Sequence, residues 1–185
     1  MKTAAKSQSS DADTLKKCLL DRASCTDSRF KSSTDFSLDD VVNIKIVDRA
    51  SVKAAPADGS SAQAAAAQAP LPSIDMEILF EYNSAEIRAD QYAQLRLLAE
   101  TLAAPEFSNY TIAVIGHTDA KGSDAYNLDL SWRRANEVAN AVSLLSGLPQ
   151  NRMTATGLGA RRLKSEADPM GPQNRRVQIV LIPRA

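Results

Sequence analysis

From residue 73 onward, short apolar β-branched runs alternate with apolar stripes at helical spacing, and few folds accommodate that order. Ile74, Met76, Ile78 and Phe80 alternate with Asp75, Glu77 and Leu79, which predicts a strand, and Asn83-Ser84 marks a turn. Tyr92, Leu95, Leu98, Ala99 and Leu102 share one helical face, stopped by Pro105. Residues 111–115 read as a second strand ending at Gly116. Leu128, Ala135, Val138, Val142 and Leu145 line a long helix that Gly147 and Pro149 close. Residues 153–156 form a weak strand closed by Gly157-Leu158-Gly159. Residues 161–170 form a polar loop with room for a helical turn, and residues 177–182 a strong last strand. The order is β-α-β-α-β-loop-β. A helix with an apolar stripe must bury it against a neighbouring layer. The expected fold is therefore an α/β (α+β) two-layer sandwich, a four-stranded mixed sheet with helices on one face, preceded by a flexible N-terminal region.

Upstream of that unit the composition changes twice. Residues 51–72 are rich in Ala, Ser and Pro and lack the large side chains of a core, so they read as a linker. Residues 1–50 are polar and charged. They hold one strand-like run, Val41-Val42-Asn43-Ile44-Lys45-Ile46-Val47, and a helical turn or two around residues 15–20. This segment is too small to bury much core alone. It packs on the larger unit, pairs with a partner, or stays partly disordered. The expected division is thus an N-terminal segment over 1–50, a linker over 51–72 and a domain over 73–185. A fragment starting near Leu71 is expected to fold and bind by itself. Cys18 and Cys25 are close enough for a small disulfide loop in an oxidising compartment, and two unpaired thiols are an equal alternative.

Several functions are disfavoured at this level. The chain has 22 basic and 22 acidic residues, so a broad attraction to nucleic acid is not expected. No apolar run approaches the roughly 18 residues of a membrane-spanning helix. The N-terminus is basic but has no apolar stretch behind it, so it is not an intact signal peptide. His117 is the only histidine and there is no second cysteine pair, so neither a metal nor another cofactor is expected.

The chemistry concentrates in Gly116-His117-Thr118-Asp119-Ala120-Lys121-Gly122 and in Tyr126-Asn127-Leu128-Asp129-Leu130-Ser131-Trp132-Arg133-Arg134-Ala135. A strand ends, the chain turns through Thr118-Asp119 to Gly122, and a helix climbs away. Asn127, Leu130 and Arg134 share one stripe of that helix, beside the core stripe of Ala135, Val138 and Val142. Arg134 is thereby placed at the edge of the core, where its guanidinium is only partly hydrated, and Asp119 leads into the same helix end. Together they offer both signs of charge to one ligand. A zwitterionic head fits, its carboxylate taking parallel bonds from Arg134 and its ammonium donating to Asp119. From spacing alone an internal Asp119–Arg134 ion pair is the favoured alternative.

These residues resemble the signature of OmpA-like domains. The resemblance runs through Gly116-His117-Thr118-Asp119, Gly122, Tyr126-Asn127, Leu130-Ser131, Arg134-Ala135 and Val138. It extends to Phe80-Glu81-Tyr82-Asn83-Ser84-Ala85-Glu86-Ile87 before them, and to Gly157-Leu158-Gly159 and Asn174-Arg175-Arg176-Val177 after them. It covers residues 73–185 and none of residues 1–50. It implies a noncatalytic domain that grips peptidoglycan through the diaminopimelate of the stem peptide, in the periplasm or at the outer membrane or cell wall. Asp119 and Arg134 are then the main ligands. Asn127 and Leu130 stand beside them on the helix, Thr118 and Glu81 line the pocket, and Arg175 closes it or pairs with the acids. Glu81 stands where many members carry Asp. The alternative within the same family is a component of a larger envelope machine, a stator or secretion complex. Other envelope proteins are candidate partners for residues 1–50, and homodimerisation is left open.

The remaining prominent residues have plainer readings. His117 is a strand-end residue bonded to backbone, with no Ser or Cys nucleophile and no oxyanion arrangement to make it a general base. Trp132 is expected to pack on a neighbouring loop, and Arg161, Arg162 and Lys164 to form a solvated loop. Hydrolysis of cell wall would need a metal triad or an activated nucleophile, and neither is evident.

Overall fold

The computed structural model describes residues 3–21, 25, 30–32, 36–52, 69–81 and 84–185. The elements in chain order are α1 (Thr3–Leu20), β1 (Phe30–Ser32), α2 (Leu38–Asn43), β2 (Ser73–Met76), α3 (Tyr92–Leu102), β3 (Tyr110–His117), α4 (Asp124–Ser146), β4 (Met153–Gly159) and β5 (Val177–Pro183). The strands lie in one mixed sheet in the order β1-β2-β5-β3-β4. Only the β3–β4 pair is parallel, joined through α4, while the other neighbours run antiparallel. The four expected strands and both helices of residues 73–185 are present. β1 adds a fifth strand, pairing Phe30 with Met76 and Ser32 with Ile74 at what would otherwise be the free edge of β2.

β3 and β5 are buried on both faces, which is why they read as nearly unbroken apolar runs. Ile112, Val114, Ile179 and Leu181 share a core with Leu95 and Leu98 of α3 and with Ala135, Val138 and Val142 of α4. Leu15, Cys18 and Leu19 of α1 and Phe30 of β1 join that core. The alternate residues Ala113, Ile115, Val180 and Ile182 face a second core built with Phe36, Leu38, Val41, Ile46, Val52 and Leu71. Packing therefore crosses the expected boundary at residue 73, and α2 lies on the sheet face opposite α3 and α4. Most of the linker, residues 53–68, lies outside the described residues, as do Tyr82 and, from the expected Asn83-Ser84 turn, Asn83.

The run from Val41 to Val47 is not a strand. Ser37 caps α2 in a capping box with Asp40: the Asp40 N–H donates to Ser37 Oγ at 3.2 Å and the Ser37 N–H to Asp40 Oδ2 at 2.9 Å. That start makes Val41 helical, and the chain then turns through Lys45 at φ 57° so that Ile46 returns to the same apolar cluster. Cys18 and Cys25 are joined in a disulfide that ties the end of α1 to the approach to β1.

Two glycines set the distance between α4 and the sheet. A Cβ on Gly116 would stand 2.1 Å from the Ser131 carbonyl oxygen, and one on Gly157 would stand 2.3 Å from Trp132 N. The helix backbone thus lies directly on β3 and β4. Ser131 Oγ accepts the Gly159 N–H at 2.9 Å, fixing the register of helix against strand. Asn127, Leu130 and Arg134 are consequently held over the ends of β3 and β4.

Candidate functional site

The loop after β3 carries Thr118 and Asp119, both buried. The Thr118 N–H donates to the Gly159 carbonyl at 3.0 Å and the Ala120 N–H to the Pro169 carbonyl at 2.9 Å, so the loop is held from both sides. Asn127, 3% exposed, donates from Nδ2 to the Lys121 carbonyl at 2.9 Å and braces the loop from the helix. Asp119 Oδ1 accepts the Lys121 N–H at 3.1 Å. Asp119 Oδ2 accepts from Arg175 Nη1 at 2.8 Å. The ion pair anticipated between Asp119 and Arg134 is thus made by Arg175 instead, and Arg175 remains half exposed.

Arg134 is differently engaged. Its guanidinium lies 4.6 Å over the centre of the Phe80 ring, and its Nε donates to the Ser84 carbonyl at 3.2 Å. Its Nη groups have no hydrogen-bond partner among the described residues. Burial lowers its pKa from the ordinary guanidinium value. Tyr126 and Asp119 act in the opposite sense, while Arg175 and Arg133 add to the lowering. A partly buried cation with open donors thus sits within electrostatic reach of Asp119. Leu130, 7% exposed, forms an apolar part of the same helix stripe. Thr118 Oγ1 is buried without a hydrogen-bond partner among the described residues, an orphan of the kind that a ligand satisfies.

Of the seven residues named from the sequence, Thr118, Asp119, Asn127, Leu130, Arg134 and Arg175 converge at this end of the sheet. Glu81 is exposed, and its backbone belongs to the loop that returns at Ile87. Its N–H donates to the Glu86 carbonyl at 2.9 Å and its carbonyl accepts the Ser84 N–H at 3.1 Å. Its side chain makes no bond to the other six. The loop instead contributes Phe80 and the Ser84 carbonyl, which the sequence reading passed over. Tyr126, 43% exposed and near Arg134, was passed over as well. The Tyr126-Asn127 pair beside the Arg134 stripe was the available signal for it.

The supporting shell is Asn174, fully buried. Its Oδ1 accepts the N–H groups of Lys164 and Ser165 at 2.8 and 2.9 Å, and its Nδ2 donates to the Asp168 and Pro169 carbonyls. His117 is buried, and its N–H donates to the Arg176 carbonyl at 3.0 Å. Trp132 is half exposed. The basic run after β4 is only in part the expected solvated loop: Arg161 is exposed, while the other two make ion pairs. Arg162 pairs with Asp40 at 2.7 Å and lies 4.7 Å over the Phe36 ring, and Lys164 pairs with the buried Asp75. Both acids come from distant parts of the chain, so nothing local announced them. No group of three or more metal-ligating side chains occurs among the described residues, and no described helix is long and apolar enough to cross a membrane.

Comparison with known proteins places this geometry. The outer membrane porin F of Pseudomonas aeruginosa is 32% identical over 89 residues, which is 48% of this chain and 25% of porin F. Outer membrane protein A of Escherichia fergusonii is 35% identical over 83 residues, 45% of this chain and 34% of that protein. The chain therefore spans between a quarter and about a third of these relatives. Among solved structures, the OmpA-like domain of FopA1 from Francisella tularensis superposes with a TM-score of 0.50 at 21% identity. It covers 61% of this chain and 76% of that one, a likeness of fold. The OmpA family matches residues 79–176, more than half of the chain and the segment that holds every site residue described above, and this chain belongs to that family.

Proposed function

We propose that this domain binds peptidoglycan noncovalently through the zwitterionic end of diaminopimelate, and so anchors an envelope protein or the outer membrane to the cell wall. The observation that carries the reading is Arg134: a cation partly withdrawn from water, with Nη donors unused among the described residues, within electrostatic reach of the carboxylate of Asp119. A ligand carboxylate satisfies those donors in parallel. The ligand ammonium donates to Asp119, which has accepted two bonds of the roughly four a carboxylate offers. A simple carboxylate or amine leaves one protein charge unmatched, which makes the site selective for a zwitterion. The proposed role of the site is binding without cleavage.

Sedimentation with purified cell wall tests the proposal. The protein is expected to pellet with peptidoglycan containing meso-diaminopimelate and to release no soluble muropeptide. Equal retention by walls with lysine at that position would overturn it, because lysine there has no terminal carboxylate for Arg134.

A further inference from the structure

α1 and β1 join the rest of the molecule as one peripheral unit. α1 packs on α3 and β1, and β1 is the end strand of the sheet, paired with β2 alone. Leu15, Cys18 and Leu19 of α1 and Phe30 of β1 share the helix-side core with Ile74 and Met76 of β2. At the surface the unit adds an ion pair between Lys16 and Glu106 at 3.1 Å. A strand of three residues makes few ladder bonds, so the place of β1 depends on what precedes it. The Cys18–Cys25 disulfide supplies that hold, joining the last turn of α1 to the segment that leads into β1.

The two sulfurs are unequally placed. Cys18 is fully buried among apolar side chains, and Cys25 is only partly buried. An incoming thiolate therefore meets Cys25 first. Attack there forms a mixed disulfide and expels Cys18, which takes up a proton. The second thiol of the same reductant attacks the mixed disulfide, frees Cys25 as a thiol and departs in an oxidised disulfide. Two electrons pass from the dithiol to the protein bond, and two protons end on the cysteines.

β3 and β5 pack against α3 and α4 in a core that the unit only extends. Undocking α1 and β1 is thus a local opening that stops at β2. It leaves the outer edge of Ser73–Met76 unpaired and Ile74 and Met76 uncovered.

We propose that the Cys18–Cys25 disulfide is a redox latch: closed, it holds α1 and β1 over the edge of β2, and its reduction by a dithiol releases both while the remaining four-stranded sheet stays folded. The edge of β2 is then covered in an oxidising compartment and open in a reducing one. The latch is independent of the zwitterion site, whose residues all lie beyond β2 in the chain.

Hydrogen–deuterium exchange of the full chain, with and without dithiothreitol, tests the latch. Thiol titration confirms that the bond has been reduced. On reduction, α1, β1 and the β2 amides that face β1 are expected to lose protection together, while β3 and β5 keep theirs. Reoxidation should restore the original pattern. Cys18→Ala combined with Cys25→Ala should show the open pattern without reductant and no response to it. Unchanged protection in the fully reduced chain overturns the proposal, because docking would then need no bond. Loss of protection in β3 and β5 as well overturns it too, since the bond would then hold the whole fold. A native chain whose disulfide resists dithiothreitol overturns it as a switch.

Discussion

A guanidinium half withdrawn from water needs an acceptor for each N–H it presents, and among the described residues Arg134 has only the Ser84 carbonyl and the face of Phe80. Removing it should therefore cost ligand binding far more than stability. Truncating one member of a desolvated, hydrogen-bonded charge pair typically costs ~2–5 kcal/mol of binding, about 30-fold or more in affinity. Arg134→Ala and Asp119→Ala are both expected to stay in the supernatant with purified peptidoglycan while circular dichroism and melting show folded protein. Two folded variants that still sediment would refute the assignment. Arg134→Lys should fail as well, since a single ammonium cannot make the parallel bonds of the planar fork. Asp119 and Arg134 were legible because loop and helix stripe fall within one continuous stretch of sequence. The Asp119–Arg175 pair and the Phe80 platform were not derivable from spacing, because the partners lie 56 residues apart in one case and on different elements distant in sequence in the other.

At the scale of elements, the proposed binding depends on how closely α4 sits on β3 and β4. A Cβ at Gly157 would also meet Ser131 Oγ at 2.5 Å and the Leu128 carbonyl oxygen at 2.7 Å, and two of these three contacts are backbone that cannot rotate away. Gly157→Ala is expected to lower stability by about 1–3 kcal/mol, the usual range for overpacking. It should weaken peptidoglycan retention too, because it displaces the helix that carries Asn127, Leu130 and Arg134. A melting curve and a sedimentation assay on this variant check both effects, and unchanged values in both would show that the helix is not held by this contact. Helical and strand periodicity made α3, α4 and β3–β5 readable in advance. α2 was misread because Val41, Val42, Ile44, Ile46 and Val47 carry strand propensity, while the capping box at Ser37 and Asp40 decided otherwise. That box has a pH signature. Burial alone would raise the Asp40 pKa, but bonds from Ser37 and the charge of Arg162 outweigh it and hold the group below its usual 3.8. A carboxylate with a depressed folded pKa contributes stability above its unfolded value and loses it as pH falls through the folded one. The stability gap between wild type and Asp40→Asn should therefore be constant near neutral pH and close below about pH 4. A gap that stays constant down to acid unfolding would contradict this.

For the whole molecule, the question is what the N-terminal segment does for the sheet. Composition marked it as a separate polar piece before a coreless linker, and that reading could not foresee which scattered residues fold back. Phe30 and Leu15 are fully buried in the helix-side core, and Phe36 and Val41 are fully buried on the other face. Fully burying one such side chain is worth on the order of 1.5–3 kcal/mol, and a domain's whole stability is only about 5–15 kcal/mol. The clasp of Arg162 on Asp40 and Phe36 joins this cover to the loop that Asn174 holds beside the proposed binding site, and the Lys164–Asp75 pair joins the same loop to β2. A fragment beginning at Leu71 keeps Thr118, Asp119, Asn127, Leu130, Arg134 and Arg175. It uncovers Ala113, Ile115, Val180 and Ile182 on one face and the edge of β2 on the other side of the sheet. Contiguous apolar surface and an unpaired strand edge both promote association. The fragment is expected to melt at a lower temperature than the full chain and to self-associate in sedimentation velocity, while retaining affinity for peptidoglycan in whatever fraction is folded and monomeric. A fragment that matches the full chain in melting temperature and stays monomeric would show that residues 1–70 cover the sheet without stabilising it.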